Sequence, residues 1–214
     1  MITNTELKNA KTDQDSLVGS RKNQILDAAI IVFSKDGFAG ASTDLIAEKA
    51  GLGKGTLYRY FENKEQLFLS AVDRGLEKLR EAMFNLKEIS NPLEKLEAAI
   101  RTYLTFHDNN PALVDMQIHE QSTFGDRIRD KYLKHYYGNV DKMKQTFRNA
   151  IDLGLIKNID IDGTMSILTS ILNGLIYAWH IEGKKYKLSS KIPIACKVFF
   201  TGIVKDEKIR GKYE

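Results

Sequence analysis

The side chains best suited to chemistry are concentrated in one short stretch, AGLGKGTLYRYF at residues 50–61. It places Gly51, Gly53 and Gly55 around Lys54, then Thr56, Tyr58, Arg59 and Tyr60. Glycine, lysine and a hydroxyl in close order can cradle a nucleotide phosphate; cations, hydroxyls and phenols can also grip the backbone and base edges of DNA. The phosphate loop G-x-x-x-x-G-K-[ST] fails twice, because Glu48 stands where it needs glycine and Gly55 where it needs Ser or Thr. The dinucleotide fingerprint G-x-G-x-x-G fails at Thr56. Both also require a strand leading in, and the residues before Gly51 read as helix.

Two short helices around a glycine-containing turn account for more of these residues. Thr43 is placed to cap the helix DLIAEKA, with Ile46, Ala47 and Ala50 on one side and Gly51 at its end. Leu52 fills the gap, and a second helix runs from Lys54 or Gly55 to about Phe61, with Leu57 inward and Phe61 a core residue. Its first turns present Lys54, Thr56, Tyr58, Arg59 and Tyr60, at the end of a recognition helix that meets base edges. From Lys49 to Lys64 the cations Lys49, Lys54, Arg59 and Lys64 face one acid, Glu62. Lys49 reads as a solvated face.

Other chemistry finds little support. His119-Glu120 lacks the second histidine of H-E-x-x-H, and no G-x-S-x-G occurs. His107, His119, His135 and His180 fall on different helices or faces, so neither a metal nor a cofactor is expected. Cys196, the single cysteine, excludes an internal disulfide and reads as buried filler.

The elements that must position these residues are all helical. Ser20 is placed to cap a helix with Ile25, Ala29, Val32 and Phe33 on one face, stopping at Gly37. Asn63 and Gln66 have capping-box spacing at the start of a long helix with Leu67, Phe68, Ala71, Val72, Leu79 and Met83 inward. Asn91-Pro92 and Asn110-Pro111 each pair a cap with a proline at the first helical position. Further helices are expected from about Asp126, from Asp162 and from Ser190 or Lys191. No strand alternation or hairpin turn stands out, so the fold class is all-α, with about nine helices.

The totals agree. The 214 residues suffice for a substantial core, hydrophobic and charged shares of 43% and 28% are ordinary, and three prolines favour helix. A net charge of +4 permits nucleic acid as a partner without requiring it. The stretch Ile167 to Trp179 is too short for a bilayer and carries Thr169, Ser170 and Asn173, and the N-terminus lacks a secretion signal. A soluble, cytoplasmic protein without a membrane partner is expected. Residues 1–19 read as a disordered arm, 20–66 as a helix-turn-helix DNA-binding domain and 67–214 as a ligand-binding and dimerisation domain.

The run TDLIAEKAGLGKGTLYRYFENKEQLF, Thr43 to Phe68, resembles the DNA-binding segment of TetR-family transcriptional regulators, and the likeness extends over roughly residues 20–70. That family implies a dimeric bacterial regulator, most often a repressor released from a palindromic operator by a small molecule. The resemblance implies that Thr43, Tyr58, Tyr60 and Lys64 meet phosphates. It implies that Lys54, Gly55, Thr56 and Arg59 face bases or the nearby backbone.

The C-terminal two-thirds carries two further expectations. Tyr103, Phe106, His107, Met116, His119, Tyr132, Tyr136, Phe147 and Trp179 are candidates to line a largely apolar pocket for a small-molecule effector; packed core is their other reading. The last two long helices are apolar on more than one side, which a helix buried on two faces requires. Ile167, Ile171, Leu175, Ala195, Val198, Phe199 and Gly202 are candidates for a homodimer interface. The alternatives left open are a DNA-binding protein of the same fold without an effector, and a helical enzyme.

Overall fold

The structure, a computed structural model, describes residues 4–119, 121–205, 207, 211 and 212, without side chains for 4–18, 121–122, 128 and 132–139. Among the described residues nine α-helices follow one another: α1 Asn4–Gly40, α2 Thr43–Lys49, α3 Lys54–Tyr60, α4 Lys64–Phe84, α5 Pro92–Asn109, α6 Pro111–His119, α7 Gln121–Asp152, α8 Ile161–Ile181 and α9 Ile192–Ile203. Short 3-10 turns occupy Asn85–Glu88 and Leu188–Lys191. The described residues hold no strand, only an antiparallel bridge between Ile156 and Val204.

Two compact units divide the chain. The first comprises Met1–Gly75 with Asp115–Ile128, and the second Leu76–Val114 with Arg129–Glu214. In the first unit, Ile25, Ala29, Val32 and Phe33 of α1 are buried, as the helical spacing predicts. Helical backbone begins at Asn4, well before Ser20. Gly37 breaks α1 where expected, at φ 65° and ψ 174°.

Aromatic rings fill the centre of this unit. Phe68 of α4 meets Phe33 edge-on at 5.1 Å, Phe38 at 5.6 Å, and stacks on Phe124 at 4.8 Å. Phe124 interrupts regular helix inside α7 (φ −122°, ψ 15°), just before the start at Asp126 that the sequence suggests. Arg127 forms an ion pair with Glu65.

In the second unit α5 packs on α8 and α9. Asn91 caps α5 as predicted, accepting from Leu93 N at 2.9 Å. Asn110-Pro111 also opens a helix as predicted, α6 starting at Pro111, while the Asn110 amide donates back to the Phe106 carbonyl of α5 at 2.7 Å. The cap of α8 is Asp160, not Asp162, whose own N–H donates to Asp160 at 3.1 Å. Gly163 belongs to this cap, since a Cβ there would lie 2.5 Å from Asp160 Oδ2.

Asp108, at the end of α5, accepts hydrogen bonds from Leu188 N (2.9 Å), Ser189 N (3.2 Å) and Ser189 Oγ (2.6 Å). It holds the 3-10 turn that leads into α9. Burial pushes its carboxyl up, but the hydrogen bonds from Ser189 and Leu188 outweigh that and leave it below the ordinary value. Asp108→Ala is expected to lower stability by about 1 kcal/mol, as loss of a cap does. A urea midpoint with unchanged m-value measures this. A carboxyl depressed in the folded state stabilises above its unfolded pKa and loses that contribution as pH falls through the folded one. The gap between wild type and variant should therefore close below roughly pH 4.

Candidate DNA-binding surface

The helix pair α2–α3 is built as its sequence suggests, with one change of register. Ala50 is the C-cap of α2, and Gly51 follows at φ 68°. Gly51 N donates to Glu48 O at 2.9 Å and Leu52 N to Ala47 O at 2.9 Å, the paired bonds of a glycine-terminated helix. An L side chain at that φ is strained, which is why glycine stands there. Ile46, Ala47, Leu57 and Phe61 are buried, and α2 packs against both α1 and α3.

The cap of α2 is Ser42, which accepts from Asp44 N at 3.2 Å and Leu45 N at 3.4 Å. Thr43, expected to cap, is the first helical residue. Adjacent hydroxyls can both cap, and burial of Ile46 and Ala47 selects the register. Thr43 Oγ1 is thereby released from the cap and lies 3.1 Å from the Tyr58 hydroxyl. Asn63 accepts from Gln66 N at 2.8 Å, while Gln66 reaches one residue further back than the capping-box pattern, to Glu62 N at 2.6 Å.

Around α3, Lys54, Gly55, Tyr58 and Arg59 are exposed, and Thr56 and Tyr60 half-buried. A Cβ built on Gly55 would meet nothing within 4 Å, so no packing inside the chain calls for glycine there. Lys54 Nζ is 2.9 Å from Asp44 Oδ1 and 3.0 Å from Oδ2. The hydrogen bond and charge of Asp44 hold the Lys54 ammonium above its ordinary pKa. Lys64 is half-buried: its ammonium donates to the Ala39 carbonyl at 3.1 Å and lies 5.0 Å from the Phe38 ring centroid. It therefore ties the end of α1 to the start of α4, a role its spacing does not reveal.

The pocket candidates scatter. Met116, fully buried, and His119, exposed, belong to the first unit. Tyr103, Phe106, His107, Phe147 and Trp179 belong to the second, and the side chains of Tyr132 and Tyr136 lie outside the described residues. Tyr103 donates to Asn173 Oδ1 at 2.7 Å, and burial pushes its hydroxyl up to about 12. His107 Nδ1 donates to the Tyr103 carbonyl at 2.8 Å; burial lowers its pKa and keeps the ring neutral near pH 7. Trp179 Nε1 donates to Tyr186 O at 2.7 Å. Phe147 packs edge-on against Phe199 at 6.4 Å. A surface groove of about 490 Å³ in this unit is lined by residues including Glu97, Arg101, Ile192, Cys196 and Lys197, and by none of the predicted pocket residues.

The interface candidates divide by exposure. Ile167 (63%), Ile171 (39%) and Val198 (58%) face outward, with Gly202 also exposed and Leu175 half-buried. Ala195 and Phe199 are buried in the chain's own core. Tyr177, Ile181 and Ile194 are further exposed apolar residues of α8 and α9, outside the interface candidates. Among the described residues no helix is long and apolar enough to cross a membrane.

Comparison with known proteins places this geometry. Residues 25–71 match the model of bacterial regulatory proteins, tetR family. The chain is 26% identical over 184 residues to the fatty acid metabolism regulator protein of Bacillus subtilis (strain 168), covering 84% of this chain and 94% of that one. It is 27% identical over 161 residues to the uncharacterized HTH-type transcriptional regulator YhgD of the same organism, covering 74% and 84%. The fold matches the crystal structure of the transcriptional regulator FadR from Bacillus subtilis in complex with stearoyl-CoA, with a TM-score of 0.73 at 23% identity over 84% of this chain and 97% of that one. With the helix-turn-helix and these relatives agreeing, residues 25–71 carry the segment of bacterial regulatory proteins, tetR family, and the chain as a whole shares the fold of such regulators.

Proposed function

We propose that the protein is a homodimeric, sequence-specific DNA-binding regulator, a repressor released from a palindromic operator by a small hydrophobic or amphipathic molecule. The observation that carries the reading is the face of α3. Lys54, Gly55, Tyr58 and Arg59 are exposed together on a helix whose opposite side is locked by buried Leu57. Thr43, Tyr58, Tyr60 and Lys64 supply hydroxyls and an ammonium for phosphates, while Lys54, Thr56 and Arg59 supply donors for base edges or nearby backbone. The open space over Gly55 lets DNA approach the helix backbone.

Two observations support the dimer. Helix α8 exposes Ile167, Ile171 and Ile181, and α9 exposes Ile194 and Val198, at helical spacings. Gly174 and Gly202 sit within these helices with nothing inside 4 Å of a built Cβ. Glycine inside a helix is destabilising relative to alanine, and close approach by a second backbone accounts for it at both positions. Ligand binding then shifts a population between two states of the protein that differ in affinity for DNA. The stearoyl-CoA bound by the relative makes an acyl-CoA the first effector to try.

Arg59→Ala is expected to relax preference at one base position of each half-site and to weaken operator binding by roughly 1–3 kcal/mol. Selection from random duplex DNA with both proteins reads this out, and an unchanged base preference removes Arg59 from the reading set. Adding stearoyl-CoA to the selected duplex complex tests release. Binding to DNA that the acyl-CoA leaves untouched, with no acyl-CoA bound to the protein, overturns that effector class.

A further inference from the structure

The carboxylate of Asp44 stands on the surface that the proposed function presents to a polyanion. It is 62% exposed and is the second residue of α2, one place after Thr43. Both its oxygens approach Lys54 Nζ, at 2.9 and 3.0 Å. An exposed pair of this kind adds little to folding. It also places negative charge beside the first residue of the recognition helix, where attraction to phosphate would be weakened. A feature that contributes little to stability and opposes DNA binding calls for another role.

We propose that Asp44 is a specificity-determining residue that acts through Lys54, holding its ammonium away from phosphates unless the correct bases are present. The inference rests on the DNA-binding reading of α3. Lysine carries three N–H donors, and the two oxygens of Asp44 occupy at most two. In a matched complex the held ammonium keeps a donor for a base acceptor, and the ion pair survives docking. On unmatched DNA phosphates are the available partners, and the Asp44 carboxylate both neutralises the Lys54 charge that would attract them and repels them itself. Asp44 thus lowers affinity for random sequence more than affinity for the operator. A carboxylate in the first turn also favours the helix dipole of α2, so the test must separate DNA binding from helix stability.

The experiment compares wild type, Asp44→Asn, Asp44→Glu, Lys54→Gln and the Asp44→Asn/Lys54→Gln double variant. Each is titrated with the selected operator and with a random duplex across a series of salt concentrations, and thermal melts confirm folding. Asp44→Asn frees one cation in each subunit for a phosphate, so random-duplex affinity should rise about tenfold near 0.1 M salt, with a salt slope of the dimer steeper by about 2. Operator affinity should change by less than about threefold, so the preference for operator falls. Asp44→Glu should restore most of the discrimination. In the Lys54→Gln background, Asp44→Asn should have no comparable effect, because the partner it releases is gone.

Equal gains on operator and random DNA would overturn the proposal, since Asp44 would then be a plain repulsive charge. So would an unchanged salt slope, or an effect that persists undiminished without Lys54. A changed base preference in Asp44→Asn would make Asp44 a direct base reader and would also overturn it. Failure of the DNA-binding reading itself appears separately, as a wild-type protein that prefers no duplex.

Discussion

Ile167→Glu and Val198→Glu, combined, are expected to yield a folded monomer that no longer holds a palindromic operator. Both side chains are more than half exposed in the chain, so a carboxylate at either position remains solvated in the monomer. In the proposed dimer the same carboxylates enter an apolar interface, where an unpaired buried charge costs several kcal/mol. Two such residues on each of two subunits exceed what an ordinary interface offers in net affinity. Light scattering should show the wild type at twice the chain mass at micromolar concentration and the variant at the chain mass, with the same helical circular dichroism. Operator affinity should fall by about a thousandfold or more, towards the level of non-specific binding. A variant that remains dimeric would place the interface elsewhere.

Phe68→Ala is expected to have the largest effect on folding. The side chain is completely buried on α4 and touches the rings of Phe33, Phe38 and Phe124, which come from both sides of the break in α1 and from the start of α7. Truncating a buried phenylalanine removes its transfer energy and leaves a cavity, together about 3–5 kcal/mol. Against a total stability of about 5–15 kcal/mol that is a large share. The melting temperature should drop by roughly 6–20 °C for a chain of this size. A loss below about 1 kcal/mol would mean that the neighbouring rings close the cavity.

The sequence makes the helices legible more readily than their partners. Gly51 marks the turn between α2 and α3 because only glycine relieves the strain at that φ, and Asn91-Pro92 marks a helix start because cap and proline act locally. Choices between equivalent neighbours are not legible. Ser42 and Thr43 both carry a hydroxyl, and Asp160 and Asp162 both carry a carboxylate. Burial of residues further along each helix selects between them.

The same limit governs the sites. Periodicity shows that α8 and α9 are apolar on two sides, but not which side faces the chain's own core. Phe199 and Ala195 turn inward, while Ile194 and Ile181 turn out. Aromatic residues at helical spacing are equally suited to pocket and to core. His107 meets Tyr103 and Tyr103 meets Asn173, whereas Met116 belongs to a different unit. On α3 the reading is sharper, because a short helix with Leu57 inward leaves its cations and hydroxyls one face to occupy. The contacts made by Lys64 and Lys54 come from long-range geometry, which no local spacing encodes.

The measurement that bears most directly on the central claim is selection of binding sites from random duplex DNA by the purified protein, followed by titration of the winner at two salt concentrations. A dimer presenting two copies of α3 should enrich an inverted repeat with half-site centres about one DNA turn apart, or a multiple of it. The protein should bind it at least about a thousandfold tighter than random sequence. No enriched motif, with weak salt-sensitive binding to every duplex, would contradict α3 as a sequence reader. A single asymmetric motif bound by one chain would contradict the symmetric dimer.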